Sequence, residues 1–480
     1  MQIAGFYMKD LKLFESSLDK TTIRISGSDP KYFLDLLQDS HQTIQSLDSC
    51  LSNQILIQDS DPGRFLAHVL SAQALGWSVF LASHHWGKIE WQQALNIFKR
   101  GWILQQGTVQ LYADENQLSP NRALETKPWI LIPTGGSSGQ IRFAIHTQAT
   151  LTASVQGFLD HFHLSSVNSL CVLPLYHVSG LMQVLRSGLT HGSLFIYPWK
   201  TLESGEIIAS YPDPTNTCLS LVPTQLQKLL DKPEIINWLT RFQFILLGGA
   251  PAGSRLLEIA RAYRIPLAPT YGMTETASQV ATLTPTEFLA GNNSSGRILP
   301  HLQVRILKAT KDPDQAGQIE IQGSSLALGY YPEIRSGALL TSDLGYLDPG
   351  GYLYIQGRSD QIISGGEKIQ PAEVEALLRH WVEDVCVIGV PDPLWGEKVI
   401  AVYVADQDLS ESDLRHYLLQ HLSSYKIPKQ WIRILEMPRN SQGKLNRKTL
   451  IDLIGQLDPT IAAAIATQTQ EEESAGGSRH

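Results

Sequence analysis

Between about Ser60 and Thr240 short apolar runs recur with helical patterns between them, and this alternation restricts the possible folds more than any other feature. The runs Val79 to Ala82, Trp129 to Ile132, Leu170 to Leu173 and Leu194 to Tyr197 are the length of buried strands rather than helices. Strands spaced by helix-length segments argue for βαβ units around a largely parallel sheet. Two further runs continue the pattern. Phe244 to Leu247 leads into Gly248-Gly249-Ala250-Pro251, and Ile265 to Ala268 leads to Tyr271-Gly272. A strand end followed by glycine is where open α/β sheets usually hold ligands.

After about Gly291 the texture changes to short strands and turns, as in Val304 to Leu307, Gly317 to Gln322 and Gly351 to Gln356. Beyond Gly357-Arg358-Ser359-Asp360 an α+β pattern begins. Pro371 opens a helix with Glu373 and Glu375 in its first turns, strands Val385 to Val390 and Val399 to Val404 follow, and Ser410 starts a helix striped by Leu414, Leu418 and Leu422. The expected architecture is α/β. A large N-terminal domain (1–359) holds mostly parallel sheets with helices and a small β-rich subdomain, and a small α+β C-terminal domain (360–458) precedes a flexible tail (459–480).

Apolar residues make up 43% of the 480, with 37 glycines and 25 prolines, which excludes collagen-like, wholly disordered and disulfide-scaffold chains. A net charge of -8 argues against a protein-wide grip on nucleic acid. The four cysteines, Cys50, Cys171, Cys218 and Cys386, are far apart and read as reduced, buried thiols. Met1 to Lys20 has no apolar core of the secretory type, and no run of 18 apolar residues occurs. The expectation is a cytoplasmic protein without stable membrane insertion; a homo-oligomer is left open.

Four constellations carry candidate chemistry. Pro133-Thr134-Gly135-Gly136-Ser137-Ser138-Gly139-Gln140 follows a strand, and its small and hydroxyl residues suit an anion nest as well as they suit a surface turn. It lacks the lysine of the common nucleotide loop. Tyr271-Gly272-Met273-Thr274-Glu275-Thr276 puts a hydroxyl beside a carboxylate, a pairing fit for phosphate and Mg²⁺ or for a helix cap. Thr341-Ser342-Asp343-Leu344-Gly345 with Gly357-Arg358-Ser359-Asp360 offers a carboxylate for ribose hydroxyls and an arginine fork, or a turn with a surface charge pair. Pro438-Arg439-Asn440-Ser441-Gln442-Gly443-Lys444 sets a lysine behind a glycine.

In this order and spacing, together with Ser364-Gly365-Gly366-Glu367-Lys368-Ile369-Gln370-Pro371-Ala372-Glu373-Val374-Glu375, these motifs resemble the adenylate-forming superfamily of acyl-CoA synthetases and luciferases, from about Thr134 to Lys444. Leu173-Pro174-Leu175-Tyr176-His177-Val178-Ser179-Gly180 and Tyr271 to Gln279 look most like the 2-succinylbenzoate–CoA ligases of menaquinone and phylloquinone biosynthesis.

The resemblance implies ATP, Mg²⁺ and coenzyme A acting on a small carboxylic acid. The acid's carboxylate attacks the α-phosphorus of ATP, and the CoA thiol then displaces AMP. It assigns Thr134, Ser137, Ser138 and Gly139 to the β/γ-phosphates, Thr274 to the α-phosphate, Glu275 to Mg²⁺, Asp343 to ribose, and Gly249, Ala250, Tyr271 and Gly272 to the nucleotide site around adenine. Lys444 would stabilise charge on the transferring phosphorus, Arg358 would fix the ribose and the domain interface, and Asp360 would be the hinge. Gly365-Gly366 would line the pantetheine channel when the small domain has swung, with His177 gating the acyl pocket.

Helical spacing after Gly180 sets Arg186 among Leu181, Val184, Leu185 and Leu189, an odd place for a cation unless it meets an anion. A succinylbenzoate retains one unreacted carboxylate, and Arg186 is the expected partner, with Ser179 and Gln279 as further polar contacts. The alternative is a surface arginine with a weak ion-pair partner. The phosphate loop departs from the family pattern: Gly135 replaces a serine, Ser138 a threonine, and Ile141-Arg142 a Pro-Lys pair. Weakened rather than absent ATP use is expected. Competing readings are a CoA ligase for another aryl or medium-chain acid, an adenylation enzyme loading a carrier protein, and a non-catalytic nucleotide-binding scaffold.

Overall fold

A computed structural model describes residues 23–25, 30–113, 128–135, 141–249, 252, 254–307, 317–335, 337–358, 362–369, 371–405, 409–438 and 447–463. Two eight-stranded sheets form the bulk of the N-terminal part. In one, Ile23–Ile25, Leu194–Ile196, Asn168–Cys171, Thr217–Leu221, Phe244–Leu247 and Leu267–Met273 run parallel, and Ser278–Thr282 and Arg297–Ile298 extend the edge antiparallel. In the other, Arg100–Gln105, Gln54–Gln58, Ser78–Leu81 and Ile130–Gly135 run parallel.

The expected alternation fails beside the phosphate loop. Ile130–Gly135 pairs antiparallel with Ile141–His146, from Ile130 opposite His146 to Gly135 opposite Ile141. The loop therefore joins two strands of a hairpin rather than a strand to a helix. Thr134 and Arg142 face each other across its base.

Helices Pro62–Ala74, Gln148–Phe162 and Val178–Leu189 are packed between the two sheets. Phe65, Leu66, Leu151, Val155, Leu181 and Met182 share one buried cluster with Ile55, Ile57, Ile130 and Ile132 of one sheet and Leu194 and Ile196 of the other. Their starts are encoded locally. Asp61 accepts a 2.7 Å hydrogen bond from the Arg64 amide ahead of Pro62, and Thr147 accepts from the Thr150 amide at 3.2 Å. Gly180 marks a close approach: a Cβ there would lie 2.2 Å from the Pro174 carbonyl oxygen, so no larger residue fits.

Leu302–Leu307, Gly317–Gly323, Leu339–Leu347 and Leu353–Arg358 make a four-stranded antiparallel sheet, the β-rich unit expected after Gly291. From Ile362 onward the chain builds its own five-stranded sheet, with Pro371–Leu378 and Glu411–Leu419 on one core and Arg447–Leu457 on another. Ser410 caps its helix as the sequence suggests, accepting from the Asp413 amide. The expected tail begins too early: Ile461 is 1% exposed and packs with Leu450 and Ile454 because its apolar side chain completes that core.

Candidate active site

A cavity of about 530 Å³ opens at the C-terminal ends of the parallel strands and is closed on one side by the C-terminal unit. Thr134, His177, Ser179, Arg186, Gly249, Gly272, Thr274, Gln279, Gly365 and Gly366 all line it, although they come from segments up to 232 residues apart. Ser137, Ser138, Gly139, Ala250, Asp360 and Lys444 lie outside the described residues. Arg358 falls in the strand Leu353–Arg358, where its backbone pairs with Asp343.

At one end sits a cluster of hydroxyls and carboxylates. Thr274, Glu275 and Thr276 form a short 3-10 turn after the strand Leu267–Met273, held by Thr276 Oγ1, which donates to the Met273 carbonyl at 3.0 Å and receives the Met273 amide at 3.2 Å. The Glu275 Oε1 accepts from the Tyr330 hydroxyl at 2.6 Å and from Thr134 Oγ1 at 3.4 Å. The Arg142 guanidinium carbon lies 3.9 Å from the Tyr330 ring centre, so the basic residue that departs from the family's lysine stacks on the tyrosine that holds Glu275. Asp343, 8% exposed, accepts a 2.6 Å bond from the Tyr271 hydroxyl. Tyr271 thus positions Asp343.

His146 also belongs to this group. Its Nε2 donates to the Thr274 carbonyl at 2.8 Å, and its Nδ1 lies 3.1 Å from Thr150 Oγ1. Burial pushes its pKa down to about 4, which keeps the imidazole neutral. A histidine ending an apolar strand just before a threonine cap was the available signal; the sequence alone gave no sign that Thr274, 128 residues away, was its partner.

At the other end is Arg186, on Val178–Leu189. It is 2% exposed, its Nη2 donates to Gln279 Oε1 at 2.9 Å and Ser278 Oγ at 3.2 Å, and its guanidinium lies 4.2 Å from the Phe158 ring centre. Its Nε has no hydrogen-bond partner, and among the described residues no carboxylate pairs with it. Burial lowers its pKa to about 10. The surface-arginine alternative is therefore excluded. Gln279 is committed elsewhere: its Oε1 receives Arg186 and its Nε2 donates to Thr282 Oγ1 at 2.7 Å, so it braces the arginine.

His177 immediately precedes the same helix, tilted against Tyr176 at 4.7 Å between ring centres, and burial lowers its pKa. Burial also pushes the thiols of Cys171 and Cys218 up to about 12, which removes them as nucleophiles. Cys50 is exposed rather than buried, because it lies in the turn after Pro30–Gln45. From the C-terminal unit, the hairpin at Gly365-Gly366 enters the cavity. The Thr224 hydroxyl donates to the Gly365 carbonyl at 3.3 Å, and Gly366 has φ +85° with Val222 3.0 Å from where its Cβ would be.

A hydroxyl-and-carboxylate turn, a strand carboxylate held by a tyrosine and a glycine hairpin reaching into the same cavity define a nucleotide-handling α/β enzyme. The AMP-binding enzyme family matches residues 24–331 and the AMP-binding enzyme C-terminal domain matches 373–444. The chain belongs to the AMP-binding enzyme family.

Among its relatives, a 2-succinylbenzoate–CoA ligase of Oceanobacillus iheyensis is 38% identical over 288 residues, 58% of this chain and 60% of that protein. The same-named protein of a Geobacillus species is 36% identical over 337 residues, 67% of this chain and 68% of that one. The matched stretch thus spans between three fifths and about two thirds of these relatives. A solved double mutant of o-succinylbenzoate CoA synthetase from Bacillus subtilis, bound with its product analogue, is 25% identical with a TM-score of 0.78, covering 91% of this chain and 97% of that one. The same enzyme in complex with its acyl-adenylate intermediate gives a TM-score of 0.62 at the same coverage. Among the described residues no helix is long and apolar enough to cross a membrane.

Proposed function

We propose that this chain joins 2-succinylbenzoate to coenzyme A through an acyl-adenylate, releasing AMP and pyrophosphate, in menaquinone or phylloquinone biosynthesis. The observation that carries the substrate is Arg186, a fully buried guanidinium at the acyl end of the cavity with an unpartnered Nε. A buried cation costs stability unless an anion meets it, and the unreacted carboxylate of a dicarboxylic acid is such an anion. The relatives named for this substrate support the same choice.

With Arg186 holding one carboxylate, the other is directed past His177 toward Thr274. The Thr274 hydroxyl and the Thr134 side of the loop receive phosphate oxygens, while Tyr271 keeps Asp343 oriented to accept from ribose hydroxyls. Among the described residues no cluster of three or more metal-ligating side chains occurs, and Glu275 is a single carboxylate beside the phosphate-binding hydroxyls. That donor set suits Mg²⁺, which takes one or two carboxylates together with phosphate oxygens. Held by Glu275, the ion would supply positive charge beside the phosphates. Lys444 would stabilise the charge that develops as the acid's carboxylate attacks the α-phosphorus and pyrophosphate leaves.

The second half-reaction needs the pantetheine thiol at the acyl carbon, with AMP as the leaving group. The Gly365-Gly366 hairpin lining the cavity supports reading this arrangement as the thioester-forming one, and presentation of Lys444 would require a swing about Asp360. The higher likeness to the product-analogue complex of the Bacillus subtilis double mutant than to the acyl-adenylate complex of that enzyme supports this assignment.

The test is mass-spectrometric detection of CoA thioesters after incubation with ATP, Mg²⁺, CoA and a panel of 2-succinylbenzoate, benzoate, coumarate and octanoate. Succinylbenzoyl-CoA as the dominant product is expected. Product from another acid alone would discard the substrate, and AMP without any thioester would point to a carrier-protein acceptor.

A further inference from the structure

We propose that Glu90 is the docking acceptor that holds the C-terminal unit in its thioester-forming arrangement, a positioning role that rests on the ligase reading above. Glu90 belongs to the helix Lys88–Phe98 of the N-terminal part, and its Oε2 receives the Gly87 amide at 2.8 Å. A glutamate three residues after a helix cap normally does this at the surface, where water solvates its other oxygen. Here the Glu90 side chain is 1% exposed, because the C-terminal unit covers it.

Among the described residues, its partners beyond Gly87 are all from that unit. Ser423 Oγ lies 2.8 Å and 2.7 Å from the two carboxylate oxygens, and Lys426 Nζ lies 2.7 Å from Oε1. Lys426 also donates to Glu373 Oε1 at 3.0 Å, on the helix Pro371–Leu378. The backbones meet at the same place, since a Cβ on Gly87 would lie 2.9 Å from the His421 carbonyl oxygen. This contact uses residues different from those at the Gly365 hairpin, and both border the same cavity, so the unit meets the N-terminal part at two points of its rim.

The arrangement suits a reversible latch rather than a permanent weld. When the unit swings away, Lys426 keeps Glu373, and Glu90 regains water at a helix N-terminus that favours its charge. Each group exchanges a partner and none is left buried alone, so release avoids the large cost of an orphaned buried charge. While docked, the desolvated pair is available only to the state that brings Lys426 and Ser423 onto Glu90. The latch therefore acts on the population of one domain arrangement, and through it on one half-reaction.

The experiment pairs a distance measurement with a half-reaction split. Spin labels on Asn96→Cys and Leu435→Cys, both at exposed positions, in a Cys50→Ser background report the docked arrangement without any substrate. Glu90→Gln and, on the opposite side, Lys426→Met are each expected to deplete the docked distance, and the double variant to deplete it no further than the stronger single one. Thioester formation from supplied acyl-adenylate should fall about tenfold or more, while pyrophosphate exchange stays within about twofold of the parent. A parent lacking the docked distance, or variants whose distances match the parent's, would overturn the latch. Loss of pyrophosphate exchange equal to the loss of thioester formation would overturn it too. The ligase reading fails by a different result, absence of succinylbenzoyl-CoA from the parent, which leaves the distance measurement intact.

Discussion

Replacing Arg186 by methionine separates what the arginine does for substrate from what it does for the fold. Its pKa is lowered to about 10 from 12.5, and a shift of that size corresponds to roughly 3 kcal/mol against the charged form in the folded state. Against this, the substitution takes a donor from Gln279 Oε1, costing about 1–3 kcal/mol, and a contact with Phe158 worth about 0.5–2 kcal/mol. These terms nearly cancel, so unfolding of Arg186→Met in denaturant should lie within about 1 kcal/mol of the parent. Catalysis should not be spared. Truncating one partner of a buried charge pair costs about 2–5 kcal/mol, so kcat/KM for 2-succinylbenzoate should drop at least ~30-fold. Benzoate and octanoate, which carry no second carboxylate, should react at unchanged or higher rates. An equal loss for all acids, or a stability loss above about 3 kcal/mol, would show that Arg186 supports the fold and would refute the reasoning.

Lys444→Ala should lower adenylation ~10²- to 10³-fold, measured by pyrophosphate exchange, and spare thioester formation from supplied acyl-adenylate. Tyr271→Phe removes the 2.6 Å bond that orients Asp343, and should raise the KM for ATP about tenfold with little change in that for the acid. His146 has a folded-state pKa near 4, below its unfolded value of 6.5, so between these values the unfolded chain binds more protons and stability must fall as pH drops. From pH 7 to 5 its share is about 2 kcal/mol, and urea unfolding of His146→Gln should show a pH dependence shallower by that amount. Gly180→Ala would press a methyl group onto the Pro174 carbonyl and should cost at least about 1–3 kcal/mol, read as a lowered Tm.

Much of this arrangement was legible in the chain because it is local. The strand Phe244–Leu247 and the helices opened by Pro371 and Ser410 follow from apolar periodicity and from caps within four residues. The motifs could be placed at strand ends for the same reason, and Thr134, Thr274 and Gly249 line one cavity as their positions suggested. What failed was pairing direction. Ile141–His146 returns antiparallel beside Ile130–Gly135, and a short, mostly buried run reads the same whichever way its partner runs.

The sequence by itself determined the element types, their caps and the set of groups able to handle a nucleotide and a carboxylate, since each depends on neighbours a few residues away. Only the tertiary structure decided how those groups are used. It buried Arg186 against Phe158 and gave it Gln279 as a brace, set His146 beneath Thr274, and joined Glu90 to Lys426 across 336 residues. Desolvation is the physical reason. A charge or an imidazole acquires its pKa, its partners and its cost from what surrounds it in space, and that environment exists only once distant segments have packed.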